Sequence, residues 1–150
     1  MTARPSMNLR SLVRPTLSSI RIGEHRFVFE IANTRALRIL GLSDRDHVRP
    51  DAAGMLFAFP SVDHHTVWNA GMRFPFDVAF VGFDFNGGQG RFFLSRIVTA
   101  LPPSDPARPT RFTSPTRSNF VLETPAGWFA ARGFRAGTDC GFPSYVEAFE

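Results

Sequence analysis

The chain has 150 residues, 43% of them hydrophobic and 17 of them Phe, which is enough apolar surface for one domain with its own core. All 17 basic residues are arginine, and 13 acidic residues leave a net charge of +4. The arginines form neither a dense cluster nor an aromatic-interleaved stripe, which argues against nucleic-acid binding. The single cysteine, Cys140, excludes an intramolecular disulfide, and no apolar run reaches the ~20 residues of a membrane span.

The two ends of the chain differ from its middle. Residues 1–15 are basic and contain two prolines, which predicts a flexible N-terminal arm. Residues 16–140 are predicted to form a single β-rich domain, and 141–150 a C-terminal tail. The arm lacks the apolar stretch of a signal peptide, so we expect a cytoplasmic protein, or alternatively an exported one whose signal has been removed.

The first predicted elements are a β-hairpin and a short helix. Residues 19–22 and 25–32 are separated by a Gly-Glu turn, and the second segment alternates between apolar and other residues. Asn33 or Thr34 can cap the helix that follows, and Gly41 is a suitable end.

The middle of the chain is rich in strand patterns. Residues 55–59 are apolar on both faces of a strand, which predicts a central strand that Pro60 ends. A second strand is predicted over 64–70. Residues 76–83 and 91–101 flank the turn sequence DFNGGQG, so we expect them to pair as an antiparallel hairpin.

The last third begins with a long proline-rich segment. Residues 102–118 contain five prolines, which indicates a functional flap or a partly disordered loop. A strand is predicted over 119–124, followed by a short helix with Pro125 at its first position and Gly133 after its end. Many short strands without βαβ alternation predict a mainly β fold, an antiparallel β-sandwich or jelly-roll-like open barrel with two short helices at connections.

Four motifs in this order resemble the bacterial and archaeal family known as domain of unknown function 192. They are Arg38–Ser43, Gly54–Phe59, Trp68 followed by Pro75-Phe76-Asp77, and Val121–Gly127, which reads VLETPAG. The resemblance covers residues 20–140. It implies a mainly β, jelly-roll-like fold and no established activity.

The chain departs from that family around the tryptophan. The family pattern Phe-Trp-Met-x-Asn-Thr is represented by Val67–Met72, so Asn69 stands at the Met position and Gly71 at the Asn position. This is the central part of the region in which we expect the functional site.

Asp77 is the first candidate among the acidic residues, because it interrupts an apolar strand. A carboxylate there needs an arginine or several hydrogen-bond donors. It is either half of a buried ion pair with Arg38, Arg73 or Arg96, or a group that contacts a ligand. Glu123 in the strand 119–124 is the second such acid, with the same two interpretations.

The other candidates lie between the two central strands. Trp68 is either a core residue or a stacking platform for a saccharide or planar ligand, whereas Trp128 is expected to pack a helix on the sheet. His64 and His65 are adjacent and would point to opposite faces of a strand, so we predict no metal and no other cofactor. The predicted ligand-binding set is His64, His65, Trp68, Asn69, Arg73 and Asp77.

Three functions are compatible with these residues. The first is a small-ligand binding domain, for a saccharide or an anionic metabolite, with residues 102–118 as a flap. The second is a protein-interaction module that uses the arginine-rich surface and the same proline-rich loop. The third is a metal-dependent or acid/base hydrolase that uses Asp77 with a histidine; no Gly-x-Ser-x-Gly elbow is present, and whether the protein is an enzyme stays open.

Overall fold

The computed structural model describes residues 14–86, 89–103, 105 and 107–144. The predicted arm therefore lies outside the described residues except for Arg14 and Pro15, and so does most of the predicted tail. Within the described part of the chain, no helix is long and apolar enough to cross a membrane.

The chain forms nine strands and two short helices in these residues. The strands are β1 (Thr16–Ile22), β2 (His25–Ala32), β3 (Gly54–Asp63), β4 (Thr66–Trp68), β5 (Phe76–Asn86), β6 (Gln89–Leu101), β7 (Arg111–Thr113), β8 (Ser118–Pro125) and β9 (Asp139–Gly141). The helices are α1 (Arg35–Leu40) and α2 (Trp128–Ala131).

Seven of the strands close into a barrel with the order β1-β2-β3-β8-β5-β6-β9. Neighbouring strands are antiparallel except for β2 and β3, which run parallel. The predicted mainly β class and the two short helices are confirmed, but the main sheet is a closed barrel and not an open barrel or a sandwich. The reason is β9, which pairs with both β1 and β6 and so leaves the sheet without an open edge.

The barrel wall is buried on both sides. Leu56 and Ala58 of β3 pack in a cluster to which all seven barrel strands contribute, so this cluster fills the barrel interior. Met55 and Phe57, the alternate residues, join a second cluster with Leu37 of α1, so they lie on the outer face. The predicted central strand is thus confirmed, because its two faces contact two separate apolar clusters.

An outer layer covers that second face. It consists of α1, the loops on either side of it, and a two-stranded sheet of β4 and β7. The N-cap of α1 is Thr34, one of the two caps that the sequence predicted, and its hydroxyl accepts a hydrogen bond from the Leu37 amide.

Several element boundaries differ from the sequence prediction. Pro60 does not end β3, which continues to Asp63 through a shift in register against β8. The proline-rich segment contains β7, which pairs with β4 and is not a free flap at that point. Pro125 is the last residue of β8, and α2 begins only after Gly127, whose φ of +83° lies in the left-handed region.

Candidate functional site

A groove lies on the outer face of the barrel, between α1 and β4, with β3 and β8 beneath it. Its volume is about 120 Å³. We call it the Trp68 groove. Its lining residues are Arg38, Ile39, Gly41, Leu42, Ser43, Phe57, Phe59, Thr66, Val67, Trp68, Met72 and Glu123.

Glu123 is the one acidic residue among the described residues that line the Trp68 groove, and it is almost completely buried, with 5% of its surface exposed. It lies opposite Met55 of β3 and Val78 of β5, which places its side chain on the outer face of the barrel. Among the described residues its carboxyl has no hydrogen-bond or ion-pair partner. Burial alone raises the pKa of Glu123 to about 8.

Glu30 is a second buried glutamate on the outer face of the barrel, and its carboxylate is paired with an arginine. It lies opposite the other side of Met55 and is also buried. Both of its carboxylate oxygens accept hydrogen bonds from Nη1 of Arg45, at 2.7 and 3.0 Å. The outer face therefore carries two buried glutamates, one paired with an arginine and one facing the groove without a partner among the described residues.

Trp68 lies at the rim of the groove and is 52% exposed. The guanidinium carbon of Arg111 is 5.0 Å from the centroid of its ring. Arg111 does not line the groove but a neighbouring depression that it forms with Thr66 and Trp68. Ile39, 70% exposed, is a second large apolar residue at the rim, so exposed apolar surface borders a buried carboxyl.

Phe59 connects the groove to one of the predicted histidines. The ring of His65 stacks on Phe59 with centroids 3.8 Å apart and an interplanar angle of 11°. The guanidinium of Arg38 lies 5.6 Å from the same ring and donates a 2.9 Å hydrogen bond to the Ala58 carbonyl. Burial is the main cause that lowers the pKa of His65, so this imidazole is neutral at pH 7.

Two other predicted residues lie away from the groove lining. Nδ1 of His64 is 2.9 Å from the Ser114 carbonyl oxygen, in the loop after β7. Arg73 is exposed, and its Nη1 lies 3.6 Å from Oδ1 of Asp46. Within the part of the chain that the structure describes, no three His, Cys, Asp or Glu side chains come together as a metal-binding group.

Asp77 is fully buried and holds two separate parts of the backbone together. Its Oδ1 accepts from the Ala100 amide at 2.8 Å, and its Oδ2 from the Gly127 amide at 3.0 Å. Ala100 belongs to a bulge in β6, where two residues lie opposite Asp77, and its φ is +52°. The carboxylate thus binds backbone amides rather than one of the three arginines expected from sequence, and it does not line the Trp68 groove.

Asn69 ties the proline-rich segment to the outer layer. Its buried side chain donates from Nδ2 to the Pro102 carbonyl at 3.1 Å and accepts at Oδ1 from the Thr110 amide at 2.8 Å. Gly71 has a φ of +75°, a region that Gly and Asn both tolerate. The departure from the family pattern at position 71 therefore keeps the backbone conformation that this turn requires.

The structure brings together only part of the predicted set. Trp68 lines the groove and His65 contacts it through Phe59, whereas His64, Asn69, Arg73 and Asp77 lie outside its lining. Glu123 was visible in the sequence as a carboxyl in an apolar strand but ranked below Asp77. Phe57, Phe59 and Arg38 lie in two of the family motifs but were not among the predicted ligand-binding residues.

Cys140, the single cysteine of the chain, is placed where its thiol is a poor nucleophile. It lies in β9 and is buried, and burial raises the pKa of its thiol to about 12. A thiol with this pKa is not ionised near neutral pH and is a poor nucleophile.

We expect Asp77→Asn to destabilise the fold by about 1–3 kcal/mol. The amide can present an oxygen to only one of the two backbone donors, so the other N–H loses its acceptor in a buried position. Urea unfolding at pH 7 measures the loss. Asp84→Asn, an exposed position on the same strand, is the matched control; equal stability of the two variants would contradict this role.

The fold and the site define a class of protein, a small closed β-barrel with a groove on its outer face and a buried carboxyl at the floor of that groove. Within this class, the chain belongs to the DUF192 family, described as "Uncharacterized ACR", whose model matches residues 18–142. No curated protein matches the chain.

Two solved structures are similar in fold. One, described as a "putative transcription regulator" from Sinorhizobium meliloti 1021, has a TM-score of 0.69 and 24% identity, and the match covers 86% of this chain and 95% of that one. The other, a protein of unknown function from Novosphingobium aromaticivorans DSM 12444, has a TM-score of 0.69 and 25% identity, with 84% and 85% covered. Both matches support the fold, and at this identity we draw no function from them.

Proposed function

We propose that the protein binds a small ligand in the Trp68 groove. The observation that carries the proposal is Glu123, a buried carboxyl without a partner among the described residues, which lines an open groove. Burying such a group costs free energy that a hydrogen bond or an ion pair would offset. A ligand that reaches the carboxyl would supply that interaction.

The shape of the groove supports a ligand with a small apolar body. Its volume of about 120 Å³ suits a group of a few non-hydrogen atoms, with the rest of the ligand on the open side. Most of its lining is apolar or aromatic, and a few polar groups would fix the orientation, as in ligand sites generally. The ligand classes predicted from the sequence are a saccharide, with Trp68 as its stacking platform, and an anionic metabolite.

The other two hypotheses have less support from the geometry. A hydrolase built on Asp77 and a histidine would need both at one reacting centre, but Asp77 binds two backbone amides and His64 the Ser114 carbonyl. A partner-docking role for residues 102–118 would use a segment that Asn69 and β7 attach to the domain. Binding in the groove would use Glu123, a buried carboxyl that has no partner among the described residues.

We expect Trp68→Ala to weaken the binding of small fragments about tenfold, since the indole forms one wall of the groove and each tenfold change is 1.4 kcal/mol. The measurement is a ligand-observed NMR screen that includes methyl glucosides, carboxylates and amines, with titration of each fragment that binds. Phe85→Ala is the matched control, because Phe85 is exposed but does not line the groove.

Two results would contradict the proposal. One is a screen in which no fragment binds the full chain. The other is a set of binding fragments whose affinities are the same for the wild type, Trp68→Ala and Phe85→Ala, because these fragments would then bind elsewhere.

A further inference from the structure

We propose that the ligand of the Trp68 groove carries a positively charged nitrogen, as in an amine, which contacts Glu123 while the apolar body of the ligand lies against Phe59 and Trp68. This inference rests on the proposed function, and it adds the chemical class of the ligand.

The buried Glu123 carboxyl lacks a countercharge among the described residues. No guanidinium in that part of the chain forms an ion pair with it, although Arg38 lines the same groove, and burial raises the pKa of Glu123. Arg45, which pairs with Glu30 on the same face of the sheet, does not line the groove. A cationic ligand would form with Glu123 the kind of ion pair that Arg45 forms with Glu30.

Aromatic rings form part of the groove lining. Phe57, Phe59 and Trp68 line the groove together with Glu123. The faces of aromatic rings attract cations, and such contacts strengthen where water is excluded. Two of these rings already have a guanidinium nearby, since Arg38 lies 5.6 Å from the Phe59 centroid and Arg111 5.0 Å from the Trp68 centroid. The lining thus tolerates cations beside its rings, and Glu123 is the group that would pair with a positively charged nitrogen of the ligand.

Few side chains in the groove could accept a proton or pair with a cation. Apart from Glu123, the polar side chains among the described lining residues are Arg38, Ser43 and Thr66. A saccharide presents many hydroxyl groups that each need a partner, and an anion would have to share the groove with Glu123. A monofunctional amine on an apolar body needs one strong acceptor, and Glu123 is the one carboxyl among the described residues of the lining.

The test uses three probes with the same ring and different charge, namely benzylamine in its protonated form, benzyl alcohol and benzoate. Each is titrated into the full chain by calorimetry at pH 6 and pH 8, in buffers of different ionisation enthalpy. The benzylammonium ion should bind most tightly, and its affinity should rise about 50-fold between these pH values as Glu123 loses its proton. Binding at pH 6 should release close to one proton.

Glu123→Gln should reduce benzylammonium affinity at pH 8 at least tenfold and remove its pH dependence. Glu24→Gln, an exposed glutamate in the β1–β2 turn, is the matched control and should change neither. Together with the pH dependence, this loss of affinity would show that the ammonium group binds at the Glu123 carboxylate.

The outcomes separate the two proposals. If benzyl alcohol or benzoate binds in a Trp68-dependent way and benzylammonium does not, the ligand class is wrong and the groove remains a binding site. The ligand class is also wrong if benzylammonium binds without pH dependence or without an effect of Glu123→Gln. If none of the three probes binds, both proposals are overturned.

Discussion

Glu123→Gln should make the protein more stable than the wild type at pH 8.5 and about equally stable at pH 4. In the folded protein burial raises the pKa of Glu123 from 4.5 to about 8, whereas in the unfolded chain it returns to its ordinary value. Between these values the unfolded state releases a proton that the folded state keeps, so the stability of the wild type falls as the pH rises. Glutamine is neutral throughout and removes this loss.

The expected loss of folding stability is large for a single side chain. At 1.36 kcal/mol per pKa unit, the shift from 4.5 to about 8 corresponds to up to about 5 kcal/mol of stability, nearly all of which is lost by the pH at which folded Glu123 ionises. The check is urea unfolding of the wild type and the variant at several pH values from 4 to 9. Other carboxyl groups contribute equally to both proteins, so the difference between the two curves isolates Glu123.

Glu24→Gln serves as the control here as well and should track the wild type at every pH. Parallel curves for the wild type and Glu123→Gln would mean that Glu123 is compensated in the folded protein. That result would also remove the main support for a ligand at this carboxyl.

Gly54→Ala should destabilise the protein by about 3 kcal/mol or more, or prevent folding. A Cβ at this position would overlap the Glu123 carbonyl oxygen and lie 3.1 Å from Cα of Thr124. These are backbone atoms of β8, so relief requires β3 and β8 to move apart, in the part of the barrel wall that carries Glu123. Thermal and urea unfolding measure the loss.

Gly127→Ala is the informative comparison for this substitution. A Cβ there would meet no atom within 4 Å, but the φ of +83° is unfavourable for alanine. We expect a cost of about 1–2 kcal/mol from conformation alone. If Gly54→Ala were no worse than Gly127→Ala, close approach of the two strands would not be the reason for glycine at position 54.

Local pattern predicted those parts of the fold that depend on neighbours in sequence. The β1–β2 and β5–β6 hairpins were both predicted and are confirmed, because a turn and two alternating or apolar runs specify antiparallel pairing. The Thr34 cap of α1 is local in the same way. The strand within Gly54–Phe59 was recognisable because apolar residues at every position require burial on both faces.

Closure of the barrel was not visible in the sequence. Strand β9 has three residues, crosses the predicted domain end at residue 140, and forms only because β1 and β6 each offer an unpaired edge. Likewise β7 lies in a proline-rich segment and exists through its pairing with β4. Short strands of this kind carry no periodicity, since the hydrogen bonds that define them come from residues far away in sequence.

The candidate site, too, was predictable in part from the sequence and in part only from the fold. The amino-acid pattern established that Asp77 and Glu123 are acids in apolar strands, and that each must be compensated, protonated or used. The fold settled which of these applies, because the donors of Asp77 are the amides of Ala100 and Gly127, more than twenty residues away, and Glu123 has no such donor among the described residues. Both acids lie in strands that are mostly apolar, so the difference between them comes from the backbone that packs against each side chain.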